Sequence, residues 1–189
     1  MNEQKSTHPP TPDPISEVKY WLEEVVIGWN LCPFARREFV DGRVRYSLSR
    51  ATDEEQLLRD LISEIDLLDR DDNVETTLLI HPEVLNDFLD YNQFLDYADG
   101  LLMQLQRDGI YQVASFHPDY RFEGTGVDDQ ENYTNRSPYP LLHILREESL
   151  AKAIERHPDT EGIPSRNIDF MKALETDTLR SAFKWRFPD

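Results

Sequence analysis

Cysteine occurs once in the 189-residue chain, at Cys32, which rules out an internal disulfide and any thiolate cluster built within one chain. Such usage suits a reducing compartment. Positive charge is also scarce: 20 lysines and arginines stand against 37 aspartates and glutamates, for a formal net charge of -17. That balance repels the phosphate backbone of nucleic acid and the surface of an anionic membrane. No apolar run approaches the length that spans a bilayer, and the first residues are polar and proline-rich. These absences point to a cytoplasmic protein that contacts neither nucleic acid nor membrane. No internal repeat is present, and the length suits one domain.

What is there begins with Met1 to Pro14, which hold Pro9, Pro10, Pro12 and Pro14 and almost nothing apolar. With no surface to bury, this stretch is predicted to be a disordered tail preceding a single α/β domain over 15–189. Ser16 is a suitable N-cap, and Val18, Trp21, Leu22, Val25, Val26 and Trp29 recur at helical spacing, predicting a helix that ends near Gly28. Arg43 to Ser49 alternates as a strand. Thr52 and Glu55 form a capping box ahead of a second helix with an apolar stripe through Leu58, Leu61, Ile62, Ile65 and Leu68. Its acidic outer side, Asp53 to Asp72, is an ordinary solvated face. A second strand, Glu75 to Ile80, stops at His81-Pro82. The helical pattern that follows runs to Gly109, with a break near Asn92, and a third strand, Ile110 to Phe116, stops at His117-Pro118. Strand, helix, strand, helix, strand predicts a small, mainly parallel three-stranded sheet flanked by helices.

The polar segment from His117 to Ser137 is longer than compact domains normally allow a connection, and Tyr120, Phe122 and Tyr133 within it argue for order. Ser137-Pro138 or Pro140 then starts a helix from about Tyr139 to Arg156, with His143 in its first turn. A last helix spans about Ser165 to Leu174. Phe183, Trp185 and Phe187 are expected to pack back on the body.

In parallel sheets ligands bind beyond the carboxyl ends of the strands, and His81 and His117 both stand there. Asp119, two residues beyond His117, points to the same side of an extended chain and is placed to orient the imidazole. Cys32, before Pro33, is predicted to cap a short helix through Phe39; amides there and the neighbouring Arg36 and Arg37 lower a thiol pKa. Alternatively Cys32 is a small buried hydrophobe. Arg136, Asn135 and Asn132 near a helix start offer donors to a carboxylate or phosphate, joined by Arg36 and His143.

Three functions fit these residues. One is a small enzyme on an anionic compound, with Cys32, His81, His117 and Asp119 in catalytic roles and Arg136, Asn135, Arg36 and His143 holding the substrate. Another is a zinc- or iron-binding protein using the same Cys and His residues, although no short ligand spacing supports it. The third is a non-catalytic binding or scaffold module whose polar loop recognises a partner.

The stretches GWNLCPFARR, TTLLIHPEVLNDFLDYNQFLDYAD, YQVASFHPDYRF and ENYTNRSPYPLLHILRE resemble a bacterial family built on domain of unknown function 1415, over about Val18 to Ala173. The resemblance implies a small cytosolic bacterial protein. It brings no reaction, cofactor or catalytic residue with it.

Overall fold

The computed structural model of the chain describes residues 13–187, so all but the last two residues of the expected N-terminal tail lie outside it. Helix α1 (Pro14–Trp21) begins three residues earlier than an N-cap at Ser16 would place it. Asp13 is the cap, accepting from the Ser16 amide (3.2 Å) and hydroxyl (2.6 Å), and Pro14 takes the first helical position, where no N–H is required. The helix runs on into a π-helical stretch, Leu22–Ile27, whose wider turns carry the Gly28 amide to the Glu23 carbonyl (2.9 Å) and the Leu31 amide to that of Val26 (2.9 Å). This turn closes so tightly that a Cβ on residue 28 would lie 2.2 Å from the Glu24 carbonyl oxygen. Only glycine fits. Gly28→Ala is therefore expected to destabilise the protein by about 1–3 kcal/mol, the usual cost of forced overpacking, read as a lower urea midpoint at unchanged slope. A midpoint equal to wild type would show that the π turn relaxes freely.

Among the described residues the sheet has four strands, not three: β1 (Val44–Leu48), β2 (Thr76–Ile80), β3 (Tyr111–Phe116) and β4 (Leu141–Arg146), in the order β1-β2-β4-β3. Only β1 and β2 pair in parallel. β4 lies antiparallel between β2 and β3, so the helix expected from Tyr139 starts only after the strand, as α5 (Glu147–Arg156). The physical reason is burial on both sides. Leu142 and Ile144 face one layer while Leu141 and His143 face the other, and an apolar run of this kind satisfies helical spacing equally well. The first three strands still run in one direction, which keeps His81 and His117 at the same end of the sheet.

One face is covered by α3 (Glu54–Arg70) and α4 (Phe88–Gln104), which press Leu57, Leu61, Ile65, Tyr91, Phe94 and Leu102 onto Leu79, Leu142 and Ile144. Asp53 caps α3 through the Gln56 amide (2.8 Å), in place of the predicted Thr52 capping box, and α4 is unbroken at Asn92. Its start waits until Asp87 because Leu85 adopts a left-handed φ of 58° that interrupts helix formation. The opposite face carries α1, the π stretch, α6 (Ile163–Ala173) and α7 (Thr176–Ala182), with Val18, Trp21, Val25, Met171 and Leu179 against Leu78, Ile80 and Leu141. Phe183 is fully buried there and Trp185 and Phe187 pack beside it, as their aromatic character requires. No helix among the described residues is long and apolar enough to cross a membrane.

Candidate functional site

His81 and His117 do meet. Both are fully buried, both lie against the Tyr91 ring (centroids 5.8 and 5.1 Å), and the Tyr91 hydroxyl donates to the Leu141 carbonyl (2.8 Å) and accepts the Phe116 amide (3.1 Å). Three of their four ring nitrogens are already engaged; the fourth, His81 Nε2, is buried without a partner among the described residues. His81 Nδ1 donates to the Val84 carbonyl (3.1 Å), and His117 Nε2 donates to that of Leu85 (3.1 Å) while its Nδ1 accepts the Asp119 amide (3.0 Å). A carbonyl can only accept, so these contacts place a proton on His81 Nδ1 and on His117 Nε2, and the Asp119 amide makes His117 the neutral tautomer. Burial pushes the His81 pKa down to about 4 and lowers that of His117. The two imidazoles thus clamp the carbonyls on either side of the strained Leu85.

The expected His117 and Asp119 acid-base pair is absent from this arrangement. It is the backbone of Asp119 that meets the imidazole; its carboxylate turns outward to an ion pair with Arg186 near the C-terminus. His143 is also displaced from its predicted place, standing in the middle of β4 rather than in a first helical turn. There its Nε2 lies 2.7 Å from the Thr76 hydroxyl, which itself donates to the Ile144 carbonyl (2.6 Å), and burial lowers its pKa to about 4.

Cys32 does not cap a helix. Helix α2 (Ala35–Val40) starts three residues later from Phe34, and Cys32 packs against the second core. Desolvation by burial raises its thiol pKa and outweighs the opposing Phe34 and Ala35 amides, reversing the expected direction. Arg36 is exposed on α2. Neither residue shares a hydrogen bond or ion pair with the histidines, Asp119 or Arg136 among the described residues. Nor do any three His, Cys, Asp or Glu residues there form a group able to hold a metal ion, which leaves the zinc or iron reading without a ligand set.

The loop from His117 to Ser137 is ordered from within. Asn132, fully buried, accepts the Phe122 amide (3.0 Å) and Thr125 hydroxyl (2.8 Å) and donates to the Gly126 carbonyl (2.7 Å). Asn135 binds the Ser115 carbonyl through its side chain (3.3 Å) and the His117 amide through its own carbonyl (3.3 Å). Arg136 is 1% exposed; it donates to the carbonyls of Tyr120 (3.3 Å) and Val127 (2.6 Å) and lies over the Tyr133 ring at 4.2 Å. Its Nη1 is buried without a partner, and no carboxylate among the described residues pairs with it. Burial, then the charge of Arg186, lowers its pKa. No helix start stands near it, since β4 takes the place of that helix. Arg186 and Tyr91 were not singled out as functional from the sequence; the alternation of aromatic and basic residues after Phe183 was the available signal for the former, and the latter is indistinguishable from its apolar neighbours.

A four-stranded mixed sheet between helical layers, with a buried imidazole pair and an internally braced loop at one end, defines an α/β protein by fold and not by reaction. The chain belongs to the family described as protein of unknown function (DUF1415), whose model matches residues 13–181. A search of curated proteins and one of solved structures each found no match.

Proposed function

We propose that the protein is a non-catalytic binding module for a small oxyanion, held at Arg136, and not an enzyme using Cys32, His81, His117 and Asp119. The observation that carries this is the Arg136 guanidinium, buried with one N–H group unfilled beside a second arginine. Arg186 pairs with the carboxylate of Asp119, while Arg136 has no carboxylate partner among the described residues. One positive charge is left uncompensated inside a protein of net charge -17, and a buried charge of this kind is strongly favoured by an anion that pairs with it. Asp119 and Arg186 meet near the surface, so an entering carboxylate or phosphate exchanges with Asp119 on Arg186 and answers the charge of Arg136, which already feels that of Arg186. The histidines act as braces for the floor of the loop. The full burial of both rings, the engagement of both His117 nitrogens and the raised Cys32 thiol oppose acid, base or nucleophilic roles.

Calorimetric titration of the full chain with inorganic phosphate and with acetate tests this. At least one is expected to bind, and Arg136→Gln and the more exposed Arg186→Gln should each weaken it tenfold or more, about 1.4 kcal/mol. Absence of binding by both anions, or wild-type affinity in a folded variant, would overturn the proposal.

A further inference from the structure

A second place on the molecule is shaped for a ligand of different charge. A groove of about 410 Å³ opens at the carboxyl end of β1, the outer strand of the parallel pair, between that strand and α3. Its size falls in the range of small-molecule sites, and its position is where parallel strands present ligands. None of the candidate site residues discussed above lines it.

Its chemistry is built from the floor upward. Glu64, nearly fully buried on α3, is held by Arg45 through two hydrogen bonds (2.7 and 3.0 Å) and by the Ser47 hydroxyl (2.7 Å), so its charge is already answered. Asp60, one turn earlier, is different. One oxygen accepts the hydroxyl of the buried Ser49 (2.5 Å), which in turn accepts the Ala51 amide (3.0 Å). The other oxygen has no hydrogen-bond partner among the described residues, and no cation pairs with the carboxylate there. Ser49 thus fixes Asp60 in place and leaves one acceptor available to the groove. At the rim stand Arg50 and Arg59, both largely exposed, each engaged only in a surface pair, with Glu83 (3.4 Å) and Glu55 respectively. Such exposed pairs contribute little and exchange readily.

We infer that this groove binds a small zwitterion of the amino-acid class, its ammonium group on Asp60 and its carboxylate on Arg50 and Arg59. An anchored, uncompensated carboxylate takes a compact ammonium donor. The two rim guanidiniums take the opposite charge, and no ligand of a single sign satisfies both ends. The site is independent of Arg136, and its ligand is cationic at the end that enters first.

The test uses the full chain, 15N-labelled and titrated separately with each of the common amino acids, with putrescine and with acetate. At least one amino acid should shift the amide resonances of Ser49, Arg50 and Ala51 saturably, with a Kd below about 1 mM. Asp60→Asn should weaken it at least tenfold. The Arg50→Ala/Arg59→Ala double variant, altered only at exposed positions, should weaken it comparably and serves if the Asp60 variant fails to fold. Unmoved groove amides with every amino acid, equal binding of putrescine or acetate, or unchanged affinity in the folded variants would overturn the assignment.

Discussion

Lowering the pH from 7 to 4 is expected to cost the folded protein about 3 kcal/mol through His81 alone. The imidazole titrates at about 4 in the fold and at its ordinary value of 6.5 when exposed; each unit of that gap corresponds to about 1.4 kcal/mol. Its sign follows from proton binding. Above pH 6.5 both states hold a neutral ring and the stability is fully present; between 6.5 and 4 only the unfolded chain takes up the proton, and stability falls with the pH. Protonation in the fold would add an N–H at Nε2, which is buried with no partner to receive it. His143, with its pKa also near 4, acts in the same direction. Urea denaturation of wild type and His81→Gln at pH 7, 5.5 and 4 isolates the effect from the many carboxylates, which both proteins share. The stability advantage of wild type should shrink by about 3 kcal/mol across that range. A constant difference would show that His81 is not the titrating group.

Asn132→Ala is expected to destabilise the protein by about 3 kcal/mol, because it strips partners from two backbone groups at once. The Phe122 amide loses its acceptor and the Gly126 carbonyl its donor, while the Thr125 hydroxyl keeps the Phe122 carbonyl (2.8 Å), all within a loop that has no strand or long helix to replace them. Each such group costs about 1–3 kcal/mol when left unsatisfied in the interior, less where water enters. Asn132→Asp keeps the acceptor for the Phe122 amide and sets a second acceptor against the Gly126 carbonyl, so it separates the loss of the donor from the loss of the acceptor. Hydrogen exchange adds a local readout: protection of the Phe122 amide should vanish in the alanine variant and persist in the aspartate one. An alanine variant within about 0.5 kcal/mol of wild type would place it with ordinary surface substitutions and remove Asn132 as the organiser of the loop.

Much of the architecture was legible residue by residue. The stripes of α3 and α4, the alternation of β1 and the stops at His81-Pro82 and His117-Pro118 are local patterns, and each appears within a residue or two of its expected place, except that α4 starts late, at Phe88, and ends at Gln104 and not at Gly109. β4 failed because PLLHILR is apolar on both sides, and a segment buried on both sides has no period to distinguish strand from helix. That one change removed the helix start thought to assist Arg136 and moved His143 into the sheet. Cys32 failed for a related reason. Its pKa depends on whether the amides beside it or the desolvation around it dominates, and desolvation is a property of packing.

From the sequence alone came the acidic character, the layered α/β composition, and the conclusion that the segment around His117 to Ser137 is ordered and unusual, because charge, periodicity and loop length are all properties of neighbouring residues. Tertiary structure alone decided that the fourth strand enters between β2 and β3, that the imidazoles spend their nitrogens on the carbonyls of Val84 and Leu85, and that Arg136 keeps one N–H free beside Arg186. Hydrogen-bond partners and desolvation are set by residues distant in the chain, and no local pattern encodes which of them will arrive.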